Sequence, residues 1–533
     1  MYNRKPQEGL VRIRFCQVAT VLLFLASPAL GQAQFEKAVQ VMGEYFEMLA
    51  TYNIETAELM WTDQAQERSR RFGIEFTGAP LKIDCVSPVG RNPDLMLGNL
   101  ARTARKHEDL EDGYVRLLYS SIVNSDLVEH NYYMVKSGDW YFLTYAQDYF
   151  ARNWDIVESR YFRVHVDPDR KPYVYAGRLQ AADHLFEKLV GDIQIGDSTV
   201  EMIAAKKIEF FYCNSDEQVK EITGHSTRGT ADLASSDIIS ASFPHLHELA
   251  HLLVNIKLRK PPLYTLPIVR EGTAVAFGGR WGKDVEALLD LALFLHREKL
   301  VELDSILTRK GFHETVGADI SYPVVGLWVT FLIDHLGLER FFDLYLELSG
   351  SIDEINKLES DQIKAVFTDF SGTTDWPALV NKFEAYMLDR LDRRAAVPGR
   401  PAADAPVVSG DGYSLFQDDD WLGFVFVTDS SGAQGSLFFG REDGLEGVRS
   451  ELYEEQFGTE REFEGFRYAI RYDKNEAGLY DYVTSRLLAK YIHDISPSEE
   501  YYDPEARSLA IRFRRHLVGN LDFAKEEFVH LPE

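Results

Sequence analysis

The segment FPHLHELAHLLVNI, Phe243–Ile256, is an apolar run that carries three histidines and a glutamate where a core helix would carry leucines. At about 100° per residue, His247 and His251 return to within roughly 40° of each other on one face of a helix. The apolar residues around them predict that this helix is buried, where unpaired polar groups cost free energy. The two imidazoles therefore require a partner that they can share.

The spacing of these residues is His-Glu-x-x-His, with Glu248 directly after the first histidine. In this pattern the two histidines are zinc ligands, and the glutamate lies beside the metal as a general base. A histidine pair that only packs in the core is the structural alternative. His245 lies two residues before His247, so it points off the ligand face. We expect it to pack, to support a ligand or to donate to an oxyanion.

A second helix is predicted for TLPIVREGTAVAFGG, Thr265–Gly279. Thr265 can cap this helix, Pro267 fits its first turn, and Gly278 fits its end. Glu271 then lies mid-helix among apolar side chains, where a carboxylate needs a partner. A zinc site that performs chemistry needs a third protein ligand in addition to two histidines, and Glu271 is the next candidate downstream.

The segment between His251 and Glu271 is long enough for the first helix to end, for a Pro-Pro turn, and for an antiparallel return. Gly272 has no side chain and would let the two helices approach closely. A salt bridge from Glu271 to Arg270 is the alternative role for this carboxylate.

The His-Glu-x-x-His motif, followed at this distance by Glu271 in a Glu-Gly-Thr-Ala setting, resembles the gluzincin zinc metallopeptidases of the aminopeptidase-like and thermolysin-like clan. The resemblance implies that His247, His251 and Glu271 bind Zn²⁺. It implies that Glu248 moves a proton from water to the leaving amine, and that the substrate is a peptide or a protein.

The likeness extends to SYPVVGLWVTFLIDHLGLERFFDLYLEL, Ser321–Leu348, where it implies that Tyr322 stabilises the oxyanion. An aromatic residue that only packs at the start of a helix is the alternative. Two departures limit the resemblance. The Gly-x-Met-Glu-Asn segment of true aminopeptidases does not occur upstream of His247, and Val275 stands where the thermolysin branch has an aspartate. We therefore expect an endopeptidase, with a different supporting partner for the zinc-binding histidine.

Residues 1–31 have the composition of a secretory signal peptide. A basic region precedes the apolar run Val18–Ala26, and small residues at Ala29–Gly31 provide a cleavage site. The mature protein is therefore expected to be exported to the periplasm or the extracellular space, without stable membrane insertion. The net charge of −27 argues against nucleic acid and anionic membranes as partners.

The fold class predicted from the sequence is α+β and multidomain. A central gluzincin-type metallopeptidase domain, with a mixed sheet and a helical lobe, lies between two smaller α+β domains. The predicted boundaries are 35–151 for an N-terminal domain that resembles the nuclear-transport-factor-like cone, 155–394 for the peptidase domain, 395–407 for a linker, and 408–533 for a C-terminal α+β domain. Arg228–Phe243 is expected to hold the sheet's edge strand, and Tyr480–Tyr491 is expected to form a helix of the C-terminal domain.

A second hypothesis belongs to a different class of function. The chain would be a catalytically silent protein that keeps the peptidase fold to bind a peptide or a cell-envelope ligand. The intact Glu248 favours the enzyme, because a binding protein needs no base beside the metal.

Overall fold

The computed structural model describes residues 35–97, 101–123, 126–314, 317–401, 405–428 and 434–532. Over these residues the chain is an α+β protein with several separate sheets. The predicted signal peptide, residues 1–31, lies outside the described residues. None of the helices in the described parts of the chain is both long and apolar enough to span a bilayer.

The N-terminal region consists of short helices and one antiparallel sheet, as the sequence predicts. Its buried apolar residues belong to the same contact cluster as those of the following region, up to Met387, so the two regions share one core. Its helices are α1 (35–50), α2 (Ile54–Glu58), α3 (Asp63–Arg70), α4 (Pro88–Arg91) and α5 (Ala146–Phe150), and its strands, paired in chain order, are β1 (Ala101–Asp109), β2 (Tyr114–Val123), β3 (Asp126–Ser137) and β4 (Trp140–Thr144).

The central region has a mixed sheet of order β5-β6-β7-β9-β8, in which β6, β7 and β9 are parallel and the two outer strands are antiparallel to their neighbours. The expected edge strand within Arg228–Phe243 is thus confirmed as β8. The strands of this sheet are β5 (Asp155–Glu158), β6 (Phe162–Val166), β7 (Ile208–Tyr212), β8 (Gly229–Ala231) and β9 (Ile238–Ser240). Two further strands, β10 (Tyr264–Thr265) and β11 (Ser349–Gly350), form a separate two-stranded sheet.

A helical lobe packs beside this sheet. Its helices are α6 (Ala176–Ile193), α7 (Asp197–Lys206), α8 (Asp216–Thr223), α9 (Leu246–Leu258), α10 (Pro267–Gly278), α11 (Val285–Arg297), α12 (Leu303–Ile306), α13 (Arg309–Glu314), α14 (Ala318–Leu336), α15 (Leu338–Glu347), α16 (Ile352–Lys357), α17 (Ser360–Ser371) and α18 (Trp376–Asp392). Helix α10 packs against both α9 and α14, so it is central to the lobe.

The ends of α10 agree with the sequence prediction except at the cap. Pro267 opens the helix and Gly278 closes it, whereas the predicted cap by Thr265 is wrong. Thr265 belongs to β10 instead, and its hydroxyl lies 2.7 Å from the hydroxyl of Ser349 in the partner strand. The pairing of β10 with β11, which are distant in the sequence, therefore places the Thr265 hydroxyl beside Ser349 and not at the start of α10, where the local sequence pattern predicts it.

The close approach predicted for Gly272 occurs, but against a different helix. A Cβ at Gly272 would lie 2.6 Å from the carbonyl oxygen of Val325 in α14. The contact between α10 and α9 is instead made at Gly278, where a Cβ would overlap the carbonyl oxygen of Leu246. Because the end of α10 meets the start of α9, the two helices are antiparallel.

The C-terminal region is mostly β-structure, built from two antiparallel sheets and one helix, α19 (Glu451–Phe457). Its strands are β12 (Ala396–Pro398), β13 (Val408–Gly410), β14 (Tyr413–Gln417), β15 (Trp421–Val427), β16 (Gly435–Glu446), β17 (Glu464–Tyr472), β18 (Glu476–Asp481), β19 (Arg486–Ile492), β20 (Tyr502–Asp503), β21 (Ser508–Arg514) and β22 (Val529–Pro532).

Two predictions for this region are wrong. The helix predicted over Tyr480–Tyr491 is the end of β18 and most of β19, joined by a turn at Ser485, whose φ is 53°. Cross-strand pairing with β17 decides this segment, whose aromatic and β-branched residues suit a half-buried pleated surface. The predicted linker, 395–407, includes Ala396–Pro398, which forms β12 and pairs with β21.

Candidate metal centre

Three side chains converge where the start of α9 meets α10. Oε2 of Glu271 lies 3.2 Å from Nε2 of His247 and 3.4 Å from Nε2 of His251. One donor atom from each residue lies within 4.8 Å of the others. The side chains of His247 and Glu271 are 1% and 8% exposed, whereas that of His251 is 18% exposed. The cluster is therefore accessible from the His251 side.

These distances suit a small metal ion. Ligands about 2.0 to 2.2 Å from a tetrahedral zinc ion lie roughly 3.3 Å apart, which matches the separations between the imidazole nitrogens and the carboxylate. Two neutral imidazoles and one carboxylate form a donor set that zinc accepts, with one position left open. The residues present therefore fit a zinc ion bound by His247, His251 and Glu271.

The support for His247 comes from a backbone group that the sequence did not indicate. Its Nδ1 lies 3.0 Å from the carbonyl oxygen of Gly279, which follows α10. A carbonyl only accepts, so Nδ1 carries a proton and Nε2 faces Glu271; Nε2 donates to that carboxylate when the ring is charged and offers its lone pair to a metal ion when the ring is neutral. The carbonyl of Gly279 is thus a candidate for the supporting partner that the sequence could not name, because an acceptor at Nδ1 fixes the orientation of the ring.

Glu271 faces both of the partners that the sequence left open for it, the two histidines and Arg270. Its Oε1 accepts hydrogen bonds from Nε and an Nη atom of Arg270, at 2.8 and 2.6 Å, while its Oε2 faces the two histidines. Burial opposes ionisation, but the charge of Arg270 and the two imidazoles hold the pKa of this carboxyl well below its usual range. Glu271 is therefore ionised, as a metal ligand must be.

Glu248 is positioned by the edge strand of the sheet. Its Oε2 accepts a hydrogen bond of 2.9 Å from the backbone N–H of Ala231 in β8. The carboxylate is buried to 7% exposure, and it follows the first ligand histidine directly. One oxygen is thus fixed by the backbone, and Oε1 is free of that bond.

The structure places Tyr322 beside the ligands within a mostly aromatic packing environment. Its ring centroid lies 5.8 Å from that of His247 and 5.7 Å from that of Phe312. The residue is 8% exposed, and burial raises the pKa of the phenol, an effect to which the nearby Glu271 adds. The hydroxyl therefore keeps its proton at neutral pH.

His245 lies at the start of α9 and faces the sheet. Its Nδ1 is 2.8 Å from the hydroxyl of Ser240 in β9, and its ring fills the space above Gly229 in β8. Burial lowers the pKa of this imidazole to about 4. His245 thus packs beside the cluster and does not contribute to it as a ligand.

Sequence reasoning missed one charged residue at this site, Arg280. Its guanidinium carbon lies 3.9 Å from the ring centroid of Tyr322 and 5.6 Å from that of Trp281. Its position directly after Gly279, whose carbonyl supports His247, was the only available signal.

Comparison of the chain with protein-family models, with curated proteins and with solved structures finds no match. The interpretation of the centre therefore rests on its own geometry.

Proposed function

We propose that this protein is an exported zinc-dependent metallopeptidase of the gluzincin type, with accessory regions on both sides of the peptidase domain. The convergence of His247, His251 and Glu271 from two antiparallel helices carries this proposal. A bound zinc ion would supply a Lewis acid for the scissile carbonyl and would lower the pKa of a water molecule towards about 7.

Glu248 then has the role of general base and acid. Its carboxylate accepts a proton from the attacking water and delivers that proton to the nitrogen of the leaving amine, so that the peptide bond is replaced by an acid and an amine. The hydrogen bond from Ala231 holds Oε2, which leaves Oε1 for the proton transfer.

Tyr322 is the proposed donor to the oxyanion. The phenol keeps its proton at neutral pH, as a donor must, and its ring lies against that of His247. In other enzymes, removal of one such donor costs roughly 3 to 4 kcal/mol of transition-state stabilisation.

An extended peptide is the substrate that the sheet edge suits. Strand β8 lies at the edge of its sheet, and the same strand holds the general base through Ala231. Backbone pairing with β8 would lay a peptide chain along Glu248 without requiring a free terminus, as an endopeptidase needs.

The test compares wild-type protein with Glu248→Gln. The variant should keep zinc and lower the rate of peptide hydrolysis by at least about 10²-fold, since a positioned base contributes roughly 10² to 10⁴. Glu201→Gln changes an exposed glutamate of α7 in the same way and should have no effect. Metal analysis and a peptide-library assay provide the two readouts.

Two results would contradict the proposal. Wild-type protein purified from zinc-containing medium without bound zinc would remove the metal centre. Zinc-loaded protein that binds peptides and hydrolyses none of them would instead favour the catalytically silent binding protein.

A further inference from the structure

Arg280 lies against the proposed oxyanion donor, close to the metal centre. Its guanidinium stacks on the ring of Tyr322 at 3.9 Å, and that ring is 5.8 Å from the ring of His247. The backbone fixes this position, because Gly279, the preceding residue, supports His247 through its carbonyl oxygen. Arg280 is therefore part of the surroundings in which a substrate would be bound.

Among the side chains that the structure describes, the guanidinium of Arg280 has no anionic partner. Its Nε is buried without a hydrogen-bond acceptor, and no carboxylate oxygen of a described side chain, a set that does not include Asp319, lies within 4.0 Å of its nitrogens. The two other arginines near the centre differ in this respect. Arg270 donates two hydrogen bonds to Glu271, and Arg228 lies 3.8 Å from a carboxylate oxygen of Asp216.

The chain as a whole is acidic, with 84 Asp and Glu against 57 Lys and Arg, so a guanidinium without a described carboxylate partner is a local positive charge in an acidic protein. A partly buried guanidinium loses hydration that hydrogen bonds within the protein do not replace here. A negatively charged ligand would compensate for this lost hydration. The planar guanidinium of arginine can donate two parallel hydrogen bonds to a carboxylate. The acidic surface repels such ligands at long range, so a local cation is needed to select them.

We infer that Arg280 binds a carboxylate of the substrate close to the scissile bond, so that the peptidase prefers acidic peptides. This inference rests on the proposed function. The carboxylate belongs either to an Asp or Glu side chain, as an endopeptidase requires, or to the free carboxyl end of the peptide, which would restrict cleavage to that end; the two sources share the same chemistry. A purely structural stack of Arg280 on Tyr322 is the alternative, and it gives no preference for charge.

The experiment measures kcat/KM for matched pairs of peptides. One set of pairs, blocked at both ends, differs only by Glu or Gln at one position beside the cleaved bond. A second set differs only by a free carboxyl or an amide at the end of the peptide. Wild-type protein should prefer the carboxylate in one set by at least about tenfold, which also identifies the source of the carboxylate.

The variants isolate the charge of Arg280. Arg280→Gln should reduce this preference to about twofold or less, and Arg280→Glu should reverse it in favour of a Lys-containing peptide. The ratio within each pair is the readout, so a loss of activity that affects both members equally, for example through displaced Tyr322, leaves it unchanged. Arg340→Gln, at an exposed position of α15, should keep the wild-type preference.

A second readout does not depend on turnover. The dissociation constants of the same peptide pairs, measured by calorimetry with zinc-loaded Glu248→Gln protein, should differ in the same direction, and Arg280→Gln should abolish the difference. Equal binding of both members of every pair, or a preference that Arg280→Gln retains, would overturn the inference. Absence of hydrolysis by wild-type protein would contradict the peptidase proposal alone, because the binding measurement still decides the role of Arg280.

Discussion

At the scale of single residues, the carboxylate of Glu271 connects the two histidines of the cluster to Arg270. One oxygen accepts from Arg270 and the other faces both histidines, so the position of the ligand atom depends on the arginine. The side chain of Arg270 is 40% exposed, which makes it accessible to substitution without opening the core.

Replacement of Arg270 tests this dependence. Arg270→Met should weaken zinc binding by about 10- to 100-fold, as is typical when a group that orients a ligand is removed. Competition with a chromogenic chelator measures the zinc dissociation constant, and Arg340→Met serves as the control. An unchanged constant would mean that the helix backbone alone positions Glu271.

Asp84 provides a prediction about pH, away from the metal centre. Burial raises the pKa of this carboxyl to about 7, although hydrogen bonds from the hydroxyls of Tyr45 and Tyr132 act in the opposite direction. In the unfolded chain the pKa is about 3.9. The folded state therefore holds the proton more tightly, and this contribution to stability falls as the pH rises from about 4 to about 7 and is constant above.

Asp84→Asn removes that titration. The free energy of unfolding of the variant minus that of wild type should be higher by at least about 1 kcal/mol at pH 8 than at pH 4, since one pKa unit corresponds to 1.36 kcal/mol. Urea unfolding at a series of pH values measures this difference. Asp139→Asn, at an exposed turn, should follow the wild-type profile. A parallel profile for Asp84→Asn would show that the carboxyl does not titrate in this range.

At the scale of elements, the relative positions of His247, His251 and Glu271 depend on how closely α9, α10 and α14 pack. Helix α10 lies against α14 at Gly272 and against α9 at Gly278, and in both places a backbone carbonyl, which cannot rotate away, is among the closest neighbours of an added Cβ; at Gly272 a methyl group of Val329 lies as close, at 2.5 Å. A side chain at Gly272 must therefore separate α10 from α14, and one at Gly278 must separate the two helices that carry His247, His251 and Glu271.

Substitution of Gly272 tests this packing. Gly272→Ala places a methyl group 2.6 Å from the carbonyl oxygen of Val325, so it should destabilise the protein by about 1 to 3 kcal/mol. Gly191→Ala is the matched control, because this exposed helical glycine of α6 has nothing within 4 Å of an added Cβ. There, alanine should be neutral or should stabilise the helix by up to about 1 kcal/mol. Equal effects in the two variants would contradict the packing argument.

At the scale of the whole molecule, the C-terminal region is attached to the central region next to α9, the helix that carries His247 and His251. Arg178 of α6 is fully buried and pairs with Glu451 of α19 at 2.7 Å. Its Nε donates to the carbonyl oxygen of Phe243, at 2.8 Å, just before α9 begins. One guanidinium thus joins the C-terminal region to the segment that leads into His247 and His251.

Loss of this arginine should be costly. Arg178→Met leaves Glu451 as a charge without its partner, so we expect a destabilisation of about 3 to 5 kcal/mol. Arg160→Met breaks an exposed pair between Arg160 and Glu187, which lies on α6 like Arg178, and should cost less than about 1 kcal/mol. Urea unfolding followed by tryptophan fluorescence compares the two variants. A similar small effect of both would show that the buried pair does not hold the regions together.

The sequence by itself determined those features that depend on local spacing. His247 and His251 share a helix face because the helical repeat brings every fourth residue back to one side, and Pro267 and Gly278 bound α10 because of their own backbone preferences. Only the tertiary structure decided which groups from distant parts of the chain meet there. The carbonyl of Gly279 supports His247, α14 rather than α9 faces Gly272, and the segment predicted as a helix at Tyr480–Tyr491 is drawn into strands. The charge of Arg280, which has no carboxylate partner among the described side chains, belongs to the same class, because the position of a partner follows from the packing of distant parts of the chain.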